Sequence, residues 1–325
     1  MVVADEQYNI GNPDMKMLIT GIAGFIGYHT ALRLRELGHE VFGFDNMNSY
    51  YDPELKWQRA ARLKEYDVDF RTGDLENPER MREIIGAVKP DFVIHLAAMA
   101  GVRYSMDHAD EYIKTNALGS LNLIRACEEH DIQNVIYAST SCVMHGNELP
   151  WGEPDYLYPQ INPYGYTKAI TESQFHISKI PNAVGLRFFT VYGPWGRPDM
   201  ALFDFTKNIL AGNPITLFNY GDMKRDFTYI DDIVQGIECV INNMTERDMY
   251  SIGRGEVVEL QRFVDAIQKS LGVDAIIEYG PKHPADAHIT ASDTRKLQGI
   301  GYAPKTSIEE GVDNFVQWYM EHYHG

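Results

Sequence analysis

Tyr164 and Lys168 stand four residues apart in "YGYTK", just after Pro163. On a helix, that spacing puts both side chains on one face. An ammonium beside a phenol, helped by a positively charged cofactor ring, favours the phenolate. A phenolate is a suitable base for taking a hydroxyl proton while hydride leaves the same carbon. Such a pair also occurs on ordinary surface helices, so the surrounding motifs decide its meaning. Upstream, "YASTSCVMHG" leaves an apolar strand and presents Ser139, Thr140, Ser141 and then Cys142. Small hydroxyl residues at a strand end suit a reaction centre. The thiol is either a small packing residue or, if its pKa were lowered, a thiolate base. His145 lies nearby, but nothing else assembles a Cys–His nucleophile.

A third set is Gly21, Gly24 and Gly27 in "GIAGFIG". It follows the apolar "KMLIT" and opens a helical pattern. A loop that lets a pyrophosphate approach the backbone at a helix start needs glycine at such positions. The spacing is GxxGxxG rather than GxGxxG, so it is weak by itself and gains from its strand–helix context. Asp45 ends the next strand. A carboxylate there accepts from ribose hydroxyls and repels a 2′-phosphate. The following "NMNSYY" brings no Arg or Lys, so NAD is favoured over NADP. A solvated strand-end carboxylate is the alternative. Asp74-Leu75 ends a third strand, where it could meet an adenine.

These residues need a frame. Apolar strands are expected at 16–20, 40–46, 68–75, 91–98, 134–139 and 183–193. Helices are expected at 28–39, 76–90, about 112–130 and 163–179. Alternation of strand and helix without a hairpin signal implies βαβ units and a mainly parallel sheet. After about Gly193 the pattern becomes shorter and richer in Pro and Gly, with helices near 258–271 and 307–323. The expected division is a flexible arm over 1–15, a cofactor domain over 16–192 and a smaller lobe over 193–325, partly discontinuous.

The chain has 325 residues and a net charge of −17, which argues against nucleic acid or an anionic membrane as partner. An anionic substrate would need a locally basic site. Cys127, Cys142 and Cys239 are far apart and lack zinc spacing, so no metal is expected and a reducing cytoplasm fits. No apolar run approaches the ~18 residues of a membrane span. The acidic, polar start does not read as a signal peptide.

Together the motifs are recognisable. "TGIAGFIG", "HLAAMAGVRYS", "YASTSCV", "YGYTK", "RFFTVYGPWGRPDMALF" and "GDMKRDFTYIDD" resemble the extended short-chain dehydrogenase/reductase family of NAD-dependent nucleotide-sugar epimerases and dehydratases. The resemblance runs over about residues 16–323. "FDNMNSYYDPELK", "NYGDMKRDFTYIDDIV" and "YAPKTSIEEGVDNFVQWY" resemble the UDP-glucuronate 4-epimerase group in particular. The resemblance implies an α/β fold, a Rossmann-type doubly wound parallel sheet holding NAD, with a smaller C-terminal lobe for UDP-sugar. It implies Thr140, Tyr164 and Lys168 as catalytic. Phe25 and Ile26 join the three glycines at the cofactor, with Asn46 beside Asp45, and Ala97 and Ala98 beside Asp74-Leu75. Tyr164 and Lys168 also touch the cofactor. On the substrate side it implies Thr190 at the sugar, Arg197, Asp199 and Met200 at the nucleotide, and Arg225 at the diphosphate. Arg197 and Arg225 also supply the positive charge an acidic chain needs, unless they are ordinary ion-paired surface residues. A homodimer through the two helices nearest the reaction centre is implied as well.

The two residues after the catalytic hydroxyl steer a 4-keto intermediate in this family. Dehydratases resemble Asp-Glu there, decarboxylases Ser-Glu, and UDP-glucuronate epimerases commonly Ser-Ser. Here they are Ser141-Cys142, so an epimerase is expected. Tyr164 would take the C4 hydroxyl proton, hydride would pass to NAD, and the turned sugar would receive it on its other face. Oxidation at C4 of a glucuronate makes a β-keto acid prone to lose CO₂. Its carboxylate would be held by Ser141, Thr190 and the backbone around Gly101–Arg103. A thiol donates hydrogen bonds weakly, and "VMHG" departs from the usual "VYG". A dehydratase or decarboxylase using Cys142 in place of the acid stays open.

Overall fold

The computed structural model describes residues 14–153, 155 and 159–325. Most of the arm expected over 1–15 therefore lies outside the described residues. The chain begins β1 (Lys16–Thr20), α1 (Phe25–Glu36), β2 (Glu40–Asp45), α2 (Glu54–Glu65), β3 (Asp69–Thr72), α3 (Pro78–Val88) and β4 (Phe92–His95). It continues with α4 (Ala109–Tyr112), a widened π-helical stretch over Ile113–Gly119, α5 (Ser120–Glu129), β5 (Asn134–Thr140), α6 (Pro163–Ile177) and β6 (Asn182–Phe188). The remainder is β7 (Thr190–Tyr192), α7 (Ala201–Leu210), β8 (Ile215–Leu217), β9 (Lys224–Tyr229), α8 (Ile230–Asn242), β10 (Asp248–Ile252), β11 (Val257–Glu259), α9 (Leu260–Leu271), β12 (Ile277–Tyr279), α10 (Arg295–Gln298) and α11 (Ile308–His324).

Seven strands form one sheet in the order β10-β6-β5-β4-β1-β2-β3, and every pairing in it is parallel. This is the doubly wound, Rossmann-type sheet expected. Strand residues alternate between two cores. Met17 and Ile19 of β1, Phe92 and Ile94 of β4 and Ile136 of β5 face the layer of α1, α2 and α8. Leu18, Val93, Val135 and Tyr137 face the layer of α3, α5 and α6. Burial on both faces explains why these strands read as continuous apolar runs. The chain winds outward in one direction from β1 and in the other from β4. The carboxyl ends of that adjacent pair therefore open the crevice where such folds bind ligands.

Three expectations need correction. The single strand expected over 183–193 is two. Phe189 donates its N–H to the Ile252 carbonyl, and the chain then leaves the large sheet, so β7 pairs with β9 in a separate three-stranded sheet. The large sheet also takes a seventh strand, β10, from beyond 193, and α8 packs on α1. Finally, α2 was not expected. Its buried face includes Leu55, Ala60 and Leu63 but also Lys56 and Arg59, so the periodicity of an amphipathic helix is masked by charge.

Candidate active site

The glycine loop is built for close approach. Gly21 has φ +74° and donates to the Phe44 carbonyl at 2.8 Å. A Cβ at Gly21 would lie 2.7 Å from the backbone of Ala97, and one at Gly27 would strike the Gly21 carbonyl. Thus β1, β2, the start of α1 and the loop after β4 meet with only backbone between them. Gly24 caps α1 without a side-chain bond, and the first turn carries no acid. The leading N–H groups of that turn, at Phe25 and Ile26, are left for an anion. Asp45 is buried at the end of β2. Its Oδ2 accepts from Ala23 N–H at 3.2 Å and its Oδ1 from Met47 N–H at 2.9 Å. Burial pushes its carboxyl up, against the opposing charge of Lys56. Asn46 donates to Asp74 Oδ2 at 2.9 Å, which joins the two strand ends expected at the adenosine. Leu75 is buried, and Ala97 and Ala98 line the loop after β4. This cradle, which side chains would fill, fits the pyrophosphate and ribose of a dinucleotide.

The loop after β4 is held from beneath. Thr20 Oγ1 accepts from Ala97 N–H at 3.2 Å and meets His95 Nδ1 at 2.8 Å, while His95 Nε2 meets Ser120 Oγ at 2.9 Å. Burial, then the charge of Lys168, lowers His95 to about 3, so its imidazole is neutral. Asn116, in the π-helical stretch, exchanges two hydrogen bonds with the Met99 backbone at 2.8 and 2.9 Å.

Asn162 starts α6 by accepting from Gly165 N–H at 2.7 Å. That helix carries Tyr164, Lys168 and Glu172 on one face, each a turn apart. The Tyr164 phenol lies beside the Thr140 side chain, whose Oγ1 accepts from Cys142 N–H at 3.2 Å. Strand alternation turns Ser139 away from this centre, where it donates to Glu172 Oε1 at 2.5 Å. Glu172 is itself paired with Arg187 through two bonds of 2.9 and 3.0 Å, both side chains being buried. Neither Glu172 nor Arg187 was singled out in the sequence, although Glu172 continues the four-residue spacing.

Lys168 is buried and donates to the Ala138 carbonyl at 2.9 Å. Burial lowers its pKa to about 8, with Glu172 pulling it back up. In the protein chain alone, Tyr164 is pushed above the ordinary phenol value by burial and by the nearby Cys142. The Thr140 hydroxyl and the charge of Arg197 oppose that rise.

On the substrate side the predicted residues form two groups. Arg103 donates to Asp286 Oδ2 at 2.7 Å and lies 3.9 Å over the Phe218 ring. Arg225 donates to the carbonyls of Lys224 and His288 at 2.9 and 3.0 Å. Burial lowers the Arg225 pKa, against the charge of Asp286. Arg103, Cys142 and Arg225 thus share Asp286 as a neighbour, a residue no sequence motif marked. Burial pushes the Cys142 thiol up, so it is a thiol and not a thiolate. In the second group Arg197 holds Asp199 through bonds of 2.5 and 3.0 Å, and Tyr50 donates to Asp199 at 2.8 Å. Thr190, Arg197 and Met200 line one cavity with Phe25 of the glycine loop. Ser141 is buried beside Thr140. Among the described residues no group of three or more His, Cys, Asp or Glu could hold a metal ion, and no helix is long and apolar enough to cross a membrane.

Comparison with known proteins agrees with this geometry. The model of the NAD dependent epimerase/dehydratase family matches residues 17–253. A probable UDP-glucuronate 4-epimerase of Rhizobium meliloti (strain 1021) is 38% identical, over 95% of this chain and 98% of its own. The crystal structure of UDP-glucuronic acid 4-epimerase from Bacillus cereus, in complex with UDP-glucuronic acid and NAD, is similar with a TM-score of 0.88 and 30% identity. That match covers 95% of this chain and 100% of the other. UDP-glucose 4-epimerase of Thermus thermophilus, complexed with NAD, gives 0.85 and 26%, covering 95% and 100%.

The buried Lys168 makes a sign-specific prediction. Its folded pKa, about 8, lies below its ordinary 10.5. The folded chain therefore binds fewer protons than the unfolded chain between those values, and stability gains with rising pH across that window. The cost of the buried charge is complete below pH 8 and fades as pH rises toward 10.5. Lys168→Met should accordingly unfold at a higher temperature than the parent at about pH 7, with the gap closing above about pH 8. A gap constant from about pH 7 to 10 would contradict the charge assignment.

Proposed function

This chain belongs to the NAD dependent epimerase/dehydratase family, and we propose that it is an isomerase that inverts C4 of UDP-glucuronate to give UDP-galacturonate. The observation that carries this reading is the placing of Tyr164 beside the Thr140 hydroxyl, with Ser141 and Cys142 following Thr140 in place of carboxylic acids. NAD, held by the glycine loop and Asp45, supplies the acceptor and donor of hydride at C4. Tyr164 Oη takes the proton of the C4 hydroxyl, and Thr140 aligns that oxygen. A transient 4-keto sugar turns in the site while Arg197 and Arg225 hold its UDP. Ser141 and Thr190 restrain the carboxylate, so that the bond to CO₂ does not align with the new carbonyl.

The lyase alternative needs an acid or base at Cys142. Its thiol is held protonated by burial. The neighbouring carboxylate, Asp286, is engaged by Arg103. Both facts favour return of the intermediate over elimination or decarboxylation. For the chain's organisation, we assign residues 16–192 with 230–252 to the cofactor part and the rest of 193–325 to the UDP-sugar part, supported by α8 and β10 rejoining the large sheet. Three free cysteines fit a cytoplasmic, reducing setting.

We also assign a homodimer. Ile113 and Leu118 of the π-helical stretch and Ile170 and Ile177 of α6 are exposed, on elements that touch each other beside the catalytic helix. A second copy would cover them. Sedimentation equilibrium should give twice the 37.0 kDa chain mass; a species of single chain mass at micromolar concentration would refute the assignment.

Incubation of the NAD-loaded enzyme with UDP-glucuronate should yield UDP-galacturonate without CO₂. A UDP-pentose or an unsaturated sugar would sink the epimerase reading in favour of the lyase. Tyr164→Phe should keep NAD bound and lower kcat by about 10²–10⁴-fold. Unchanged turnover in that variant would remove Tyr164 as the base.

A further inference from the structure

Arg59, on α2, is fully buried and reaches two functional loops at once. Nη1 donates to the Ala23 carbonyl in the glycine loop at 2.9 Å and to the Tyr51 hydroxyl at 2.9 Å. Nη2 donates to the Trp195 carbonyl and, at 3.2 Å, to the Gly196 carbonyl. All four acceptors are neutral, so this guanidinium is not spent on an ion pair. Residue Ala23 is held on both sides of its Cα, because its N–H donates to Asp45 while its carbonyl accepts from Arg59. On the other side Trp195 has φ +60°, a left-handed backbone that a bulky residue keeps only where its surroundings impose it. Its ring is packed against Tyr28 of α1 and Trp318 of α11, and its carbonyl is aimed at Arg59. The next residue but one is Arg197, the cation facing Tyr164 and the UDP side of the site.

We propose that Arg59 is a positioning residue that couples the two ligand sites: the state of the glycine loop under a dinucleotide pyrophosphate is passed through its guanidinium to the Trp195–Gly196 backbone, and so sets Arg197 for the nucleotide diphosphate. This rests on the two-ligand reading given above. The physical basis is a shared restraint. A pyrophosphate seated on the glycine loop fixes the Ala23 carbonyl, which fixes the planar fork of Arg59. The second loop is then ordered at lower entropic cost when UDP arrives. Such coupling is reciprocal, so UDP in turn tightens binding of the dinucleotide by the same factor. Lysine at this position would keep a charge but could not span four acceptors in three loops. The arrangement also gives a reason for a cation without a carboxylate: an acidic partner would draw the fork away from one of its loops.

Calorimetric titration of UDP, into enzyme stripped of NAD and into enzyme saturated with NAD, tests this with binding alone. The wild type should bind UDP at least about fivefold more tightly with NAD present, the lower end of usual coupling. In Arg59→Lys that ratio should fall to about one while NAD itself still binds. A wild-type ratio of one, or an undiminished ratio in the variant, would overturn the proposal. Should the variant fail to fold, hydrogen exchange on the wild type serves instead. NAD without UDP should raise protection of the peptide spanning Trp195–Met200, and unchanged protection there overturns the coupling. Failure of the wild type to bind NAD or UDP at all would instead remove the two-ligand reading beneath it.

Discussion

Lys168 holds an ammonium group out of water, and much of the polar interior is arranged around that constraint. A buried cation is tolerable only if its hydrogen bonds are met and its field is balanced. The Ala138 carbonyl meets one bond, and Glu172 one turn further along α6 supplies opposing charge. Glu172 is then itself almost neutralised by Arg187 and braced by Ser139. The result is a cation kept close to its titration point rather than a fully compensated pair. Burial, seconded by the charge of Lys168, keeps His95 neutral, and His95 with Thr20 holds the loop on which Ala97 approaches Gly21. One helix face thus ties the proton-transfer residue to the frame of the cofactor loop.

The parts of this fold that could be read in the sequence are those where one residue type answers one local need. Strands buried on both faces read as apolar runs, and the glycines at 21 and 27 stand where a Cβ would meet backbone. The Thr140–Tyr164 pairing followed from motif order. What could not be read depends on chain segments meeting in space. The apolar run over 183–193 gives no sign that the chain changes sheets at Phe189, because both sheets want apolar residues. The helix α2 hid because the aliphatic stems of Lys56 and Arg59 do the packing of apolar residues. Asp286 reaches Arg103 from far along the chain, and Tyr50 reaches Asp199 likewise. Likewise, spacing places Lys168 on the Tyr164 face, but only the fold decides that its ammonium turns to Ala138.

The reaction centre is best understood as a hydroxyl pair beside a set of restrained charges. Thr140 and Tyr164 stand side by side, Arg197 is held by Asp199, which also accepts from Tyr50, and Arg103 holds Asp286. Asp199 and Asp286 are thus each engaged by a guanidinium. Cys142 stands between these groups as a protonated thiol, a small side chain that neither gives nor takes a proton readily. On the proposed reading, an intermediate formed here would have Tyr164 as base for the C4 oxygen, and among the described residues Asp199 and Asp286 beside it are paired with Arg197 and Arg103. That pairing would favour inversion over elimination.

The central claim is that the hydrogen at C4 leaves and returns within one closed site. UDP-glucuronate carrying deuterium at C4, incubated with NAD-loaded enzyme in ordinary water, tests it most directly. The account predicts UDP-galacturonate with deuterium retained at C4. Product with ordinary hydrogen at C4 and deuterium released to solvent would contradict it.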